Sequence, residues 1–392
     1  MTGTDTRMKW KYPLSDIDLG KEEERKVLKV LRSRWLSTGP VTEKFEKAFS
    51  EHLGGGYAIA VSNGTAALHL ALACLGLSEG DEVILPSLTF VATANAVLYV
   101  GAKPVFADIG GTNDLNLSPQ EIEKRITERT RVILVMHYGG YPCDMGSIMG
   151  IAKRHGLYVV EDAAHAPGAE YQGKMCGMIG DIGCFSFFSN KNLVTGEGGM
   201  VVTQNKEWGE RLRRMRSHGM KTLSWDKYRG RISSYDIERL GYNYRTTEIQ
   251  SALGLVQLKK LDRNNKRRKR LVETYQRELQ GVDRISIPFS QFKGRPSYHL
   301  CPILVDHGQD ARSSLLRDRL MEGLRNLRIQ TSVHYPPIHL FSLYRRKFGF
   351  TEGMFPKTEE VSRREITLPL HPLMNSGDVK WIVKKLKEIM RG

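Results

Sequence analysis

The stretch Val159-Val160-Glu161-Asp162-Ala163-Ala164-His165-Ala166 decides how the rest of the chain is read. An apolar run ends in two carboxylates, and the small residues after them let a bulky group come close. Towards the N-terminus, residues 57–61, 82–85, 104–107, 130–136 and 157–160 are further short apolar, β-branched runs. Helical patterns at 65–75, 90–98 and 144–154 separate them. Continuous rather than alternating apolar strands, spaced by helices, predict an α/β fold with a mostly parallel sheet covered on both faces. Ligands of such sheets sit beyond the carboxyl ends of the strands, where Asp162 falls. After Val202 the pattern turns helical at 208–217 and again from 246 to 279. A strand at 300–305 and helices at 311–324 and 378–390 predict a smaller α+β domain. The expected division is 1–255 for the large domain and 256–392 for the small one.

Lys191 stands 29 residues after Asp162, within Phe185-Ser186-Phe187-Phe188-Ser189-Asn190-Lys191-Asn192, ahead of the glycine-rich 196–199. A lysine flanked by aromatic and small residues is a candidate for burial and a lowered pKa, the condition for a nucleophilic amine. Taken singly, Asp162 reads more readily as a helix cap and Lys191 as a loop residue reaching solvent than as functional groups. Ser62-Asn63-Gly64-Thr65-Ala66-Ala67 adds a turn that opens a helix whose free N–H groups can hold a phosphate without a lysine. No GxxxxGK[ST] occurs, nor a GxGxxG after a strand, so nucleotide hydrolysis and nicotinamide chemistry are disfavoured. One amine, one carboxylate and a phosphate cradle are the parts of a pyridoxal phosphate site.

Composition sets the outer bounds. The 392 residues are 40% hydrophobic and 26% charged, a globular balance. No apolar run approaches the roughly 18 residues a membrane helix needs, and the start carries no signal-peptide pattern. Five scattered cysteines without a CxxC pair point away from disulfides and thiolate metal sites and towards a reducing cytoplasm. The formal charge of +16 would attract a polyanion or a phosphorylated small molecule. Its densest runs, 211–216 and 263–270, lie on helical patterns and read as solvated faces, with no nucleic-acid-binding signature beside them. His69 sits among apolar residues and reads as structural. His299, His334 and His371 read as pocket-shaping or core groups rather than metal ligands, and Pro336 and Pro337 prevent His334 and His339 from sharing a helix face.

With these parts placed, the chain resembles the DegT/DnrJ/EryC1/StrS family of sugar aminotransferases, a branch of the fold-type I pyridoxal phosphate enzymes. The resemblance rests on WLSTG (35–39), SNGTAALHLAL (62–72), PSLTFVATANAV (86–97), GAKPVFADI (101–109), EDAAHAPGAEYQG (161–173), FSFFSNKN (185–192), GEGGMVVT (196–203), GYNYRTTEIQSALGLVQL (241–258), HYPPIH (334–339) and LPLHP (368–372). It implies that Lys191 binds the cofactor covalently and moves protons, and that Asp162 pairs with the pyridine nitrogen. Gly64, Thr65 and Ala66 would form the phosphate turn, with Ser186 bonding the phosphate from below. Phe90 would stack on the ring, and His165 stands where many members carry glutamine. Asn243 matches an asparagine that reaches the phosphate of the second subunit, so the resemblance implies a homodimer with shared sites.

The implied reaction moves an amino group from L-glutamate to a nucleotide-linked keto sugar, with pyridoxamine phosphate as the carrier between half-reactions. The 196–203 and 241–258 segments and His218-Gly219 look more like members acting at C4 of a 4-keto-6-deoxy sugar than at C3. Other outcomes open on this scaffold are C3 amination, a cyclitol (inosose) aminotransferase and a sugar dehydratase. A basic nucleic-acid-binding regulator is a more distant one. Relatives that became dehydratases replaced the lysine, which is present here as Lys191. The expected partners include neither nucleic acid nor membrane, and no metal.

Overall fold

The computed structural model describes residues 10–220, 236–237, 239–292, 294–306 and 313–391. The apolar runs become a seven-stranded sheet in the order β1-β9-β8-β5-β4-β2-β3. Its strands are β1 (Tyr57–Val61), β2 (Glu82–Pro86), β3 (Lys103–Ala107), β4 (Thr130–Met136), β5 (Tyr158–Asp162), β8 (Ile182–Ser186) and β9 (Gly199–Thr203), while β6 (Glu170–Tyr171) and β7 (Lys174–Met175) pair apart from it. Pairs β2–β3, β2–β4, β4–β5 and β5–β8 are parallel, while β9 runs antiparallel to both of its neighbours. Register sets Met136 and Asp162 side by side at the carboxyl ends of β4 and β5, next to Cys184 in the middle of β8. That edge is where the fold presents its chemistry.

Helices cover both faces because neither face of a parallel sheet tolerates water. Helix Gly64–Cys74 is apolar nearly all round and is buried accordingly among Val201, Cys184 and the residues of helix Val91–Tyr99. On the other face Phe45 and Phe49, from helix Pro40–His52, meet Phe185 and Phe187 edge-on. Helix Lys21–Ser33 was not expected from the pattern. Its buried residues are Glu23 and Val30, so the face it packs includes a carboxylate as well as an apolar side chain. Glu23 accepts from Gln257 and pairs with Lys260 at 2.7 Å.

The 32-residue helix Glu248–Leu279 links this body to the C-terminal part. Thr247 and Gln250 form a capping box at its start. Its later residues Leu271, Val272, Tyr275 and Leu279 share a core with the three-stranded sheet β10 (Ile285–Ser286), β11 (Cys301–Val305) and β12 (Glu365–Leu368). The expected division at residue 255 falls inside this helix, and Tyr12 and Leu14 bond to Gln330 and Leu370 beside the smaller sheet. Two arginines of the expected solvated faces are buried instead. Arg216 pairs with Glu46 and donates to the Ala60 carbonyl, and Arg268 donates to the Leu370 carbonyl at 2.7 Å. No helix among the described residues is long and apolar enough to cross a membrane.

Candidate active site

The two carboxylates that end β5 point to opposite faces, because strand side chains alternate. Glu161 faces away from the strand-end cavity. It accepts from the N–H groups of Gly177, Ile179 and Gly180 at 2.6–2.7 Å and from His137 Nε2 at 2.9 Å. His137, Glu161 and Cys176 lie close enough to suggest a metal triad, but these four donors already occupy the carboxylate. Glu161 is a brace for the turn that follows. Asp162 alone faces the cavity, although the sequence presents the two as a pair.

Asp162 is buried, accepting from Thr93 Oγ1 at 2.8 Å and from the Ala164 N–H at 3.1 Å. Burial raises its pKa, and these donors and Lys191 oppose the rise. Thr93 in turn lies 2.9 Å from Thr89 Oγ1. Sequence reasoning missed Thr93; the two threonines four apart at a helix start were the available signal.

Lys191 sits on the turn after β8, with its N–H on the Phe188 carbonyl. Burial pulls its amine down to about 8, while Asp162 resists that fall. A larger share of the amine is therefore unprotonated near neutral pH than in an ordinary lysine, which favours a nucleophile. Both groups open into one cavity of about 660 Å³, lined also by Gly64, Thr65, Ala66, Phe90, His165 and Ser186. The structure thus gathers eight of the nine predicted residues around a single space. The ninth, Asn243, is exposed, bridges to Ser217 and does not line this cavity.

In the cavity wall Asn63 caps helix Gly64–Cys74 by accepting from the Ala66 N–H at 2.8 Å. The Gly64 and Thr65 N–H groups have no partner among the described residues. A Cβ at Gly64 would stand 2.8 Å from Ser186 Cβ, so glycine is what lets the turn and the serine close on the same spot. His165 Nδ1 accepts from the Gly139 N–H at 3.3 Å, which leaves the ring proton on Nε2, 3.0 Å from Tyr335 Oη. Burial, with the Lys191 amine beside it, keeps this ring neutral. Tyr335 accepts that proton and has its own to offer the cavity. His69, expected to be structural, holds the cavity-lining Tyr244 by its hydroxyl at 2.9 Å.

The model of the DegT/DnrJ/EryC1/StrS aminotransferase family matches residues 17–387. The chain belongs to this family. Spore coat polysaccharide biosynthesis protein SpsC of Bacillus subtilis is 41% identical over 376 residues, which is 95% of this chain and 96% of that protein. PseC of Helicobacter pylori, an aminotransferase involved in the biosynthesis of pseudoaminic acid, superposes with a TM-score of 0.90 at 33% identity. That match covers 98% of this chain and 100% of PseC. Spr1654 of Streptococcus pneumoniae in its PMP form gives 0.90 at 30% identity over 97% of this chain and 99% of its own, and its PLP form matches as well. The protein is a fold-type I, pyridoxal phosphate-dependent transaminase.

The cavity fits that cofactor on its own evidence. It offers a cradle of free N–H groups that a Cβ at Gly64 would fill, a lysine of lowered pKa and a buried carboxylate with room opposite it. The buried Oδ1 of Asn190, another lining residue, has no partner among the described residues.

Proposed function

We propose that this transaminase takes the amino group of L-glutamate and delivers it to the ketone of a nucleotide-linked keto sugar, at C4 of a 4-keto-6-deoxy sugar. The product would serve amino-sugar synthesis for a surface polysaccharide or glycoside, in the cytoplasm. One observation carries the reading: Lys191 and Asp162 face the same cavity, which is also lined by the N-terminal turn of helix Gly64–Cys74. The relatives' roles in polysaccharide and pseudoaminic acid biosynthesis support a sugar acceptor. The sequence segments around 196–203 and 241–258 support C4 over C3.

In this assignment the Gly64 and Thr65 N–H groups and the Ser186 hydroxyl hold the phosphate, with Ala66 completing the turn. Phe90, a half-exposed lining residue, would stack on the ring. Asp162 would pair with the ring nitrogen, and a cation there would favour the ionised carboxylate that burial alone disfavours. The bound cofactor supplies an electron sink for the substrate carbon and carries the amino group between half-reactions. Lys191 supplies the amine that binds it and, once released, a base of pKa suited to moving a proton near neutral pH. The exposed Asn243 of the partner subunit would complete the phosphate site, which makes the functional unit a homodimer.

The test is spectroscopic and then preparative. The purified protein should be yellow, and its visible band should fall when L-glutamate is added. The bleached enzyme should then aminate nucleotide-linked 4-keto sugars in preference to 3-keto sugars or inosose. A colourless protein that binds DNA in a salt-sensitive way would refute the enzyme reading. Loss of water from the sugar without gain of nitrogen would point to a dehydratase.

A further inference from the structure

The cavity has a second titratable group, His334, whose connections lead away from solvent into the smaller sheet. Strand β12 begins Glu365-Ile366-Thr367-Leu368, and its two-residue period puts Glu365 and Thr367 on one face. Both side chains are buried, and both meet the cavity-lining residue His334. Glu365 Oε2 accepts the His334 backbone N–H at 2.7 Å. Thr367 Oγ1 donates to Glu365 Oε1 and lies 2.8 Å from His334 Nδ1. Tyr138 Oη donates to the His334 carbonyl, which fixes the backbone. The ring is therefore clamped by Nδ1, leaving Nε2 as the nitrogen available to the cavity.

We propose that His334, Thr367 and Glu365 form a proton relay that takes up a proton from the incoming amino donor and stores it on Glu365. The proposal rests on the transaminase reading, because an amino acid arrives as an ammonium and must lose a proton before its nitrogen can attack. With Glu365 ionised, Thr367 donates to it and His334 Nδ1–H donates to Thr367. An N–H bond of the ammonium breaks and one forms at His334 Nε2. The Nδ1–H proton passes to Thr367 Oγ1, and the former hydroxyl proton passes to Glu365 Oε1. The end state has a free amine, a neutral His334 of the other tautomer and a neutral carboxylic acid. The ammonium and carboxylate charges cancel, and no cationic imidazole needs to persist. Reversal returns the proton when an amine product leaves.

The surroundings favour this route over a histidine acting alone. Burial, together with the neighbouring Lys191, holds the His334 ring down to about 4, so a stable imidazolium is disfavoured. Burial pushes the Glu365 carboxyl up to about 8, opposed by its bonds to Thr367 and the His334 N–H and by Arg317 from the helix packed above. The other titratable groups facing it are Tyr138, Tyr335 and Cys301, all held protonated by burial. Glu365 and Thr367 touch no substrate in this scheme. They act through His334.

The test uses histidine labelled with 15N in wild type and in Glu365→Gln, Thr367→Val and Thr367→Ser, each with and without cofactor. Wild-type His334 should exchange its Nε2–H tautomer for the Nδ1–H tautomer as the pH rises through about 8. Gln and Val should abolish the exchange, and Ser, which keeps the hydroxyl, should restore it. In stopped-flow mixing of the loaded enzyme with L-glutamate, the Gln and Val variants should be slower by on the order of a hundredfold, with cofactor affinity unchanged. A wild-type ring that keeps one tautomer throughout would overturn the relay, as would a glutamate reaction of normal rate in both variants. Thr367→Val preserves side-chain volume and keeps the test decisive if Glu365→Gln fails to fold. Tautomer exchange in a protein that ignores L-glutamate would support the relay and fault the choice of amino donor.

Discussion

Replacing Gly64 with alanine isolates the phosphate turn from the rest of the chemistry. The new Cβ would stand 2.8 Å from Ser186 Cβ and 3.3 Å from Ser186 Cα and Oγ, whereas ordinary contact begins near 3.4 Å. The turn and the end of β8 must separate by about 0.6 Å, and overpacking of this kind costs about 1–3 kcal/mol. Without cofactor the turn can relax outward, so part of the strain disappears. Binding must then draw the N–H groups and the serine back onto one phosphate. The cost should therefore fall on affinity, as roughly 5- to 150-fold weaker binding at about 1.4 kcal/mol per tenfold. Titrating the cofactor-free protein with pyridoxal phosphate, followed by quenching of tryptophan fluorescence, measures it directly. Ser186→Gly should weaken binding modestly through the lost hydroxyl, yet the double variant should bind better than the two penalties summed, because the glycine removes the colliding Cβ. If Gly64→Ala binds within twofold of wild type, the phosphate does not sit at this turn.

Three further outcomes follow from the geometry. Thr93→Val removes the donor that lowers the Asp162 pKa; burial then pushes the carboxyl higher, so the ionised form is lost at a higher pH on acidification. The acidic limb of the kcat profile should move to higher pH and the plateau should fall by about 10- to 100-fold, the value of a hydrogen bond to a charge; an unmoved limb would remove Thr93 from the site. Glu161→Gln should lower unfolding stability by about 2–4 kcal/mol in a urea melt, because an amide nitrogen would face the N–H groups of Gly177, Ile179 and Gly180, while the folded fraction keeps its turnover. A stable but inactive variant would give Glu161 a chemical role instead. Finally, Asn243→Ala and Lys191→Ala homodimers should each be defective, and subunit exchange between equal pools should restore about a quarter of wild-type activity, since half the dimers then carry one intact site; no recovery after demonstrated exchange would place both residues in the same subunit's site.

Much of the fold was legible because its cause is local. Strands β1, β2, β4 and β11 each hold a continuous apolar run of at least three residues, and a chain buried on both faces has to read that way. In the N-terminal helices apolar spacing is present, as in Phe45 and Phe49, but nothing local records that Glu23 and Glu46 are buried through polar partners. Glu248 does the same for the second helix from 200 residues away, accepting the N–H groups of Gly39, Val41 and Thr42. The reversed direction of β9 was hidden too, since a buried strand looks alike in either direction.

The sequence by itself determined the chemical inventory: an amine within an aromatic and small-residue setting, a carboxylate at a strand end, and a glycine turn opening a helix. Those are properties of short segments, and each keeps its meaning wherever the segment lies. Only the tertiary structure decided which carboxylate faces the cavity, that Thr93 holds it, and that Tyr335 meets His165 across 170 positions of chain. It also brought β12 under His334, joining Glu365 and Thr367 to a site that neither segment announces. These contacts join distant segments in the folded interior, where a buried polar group must find a partner. The partner is chosen by packing, which no local pattern records.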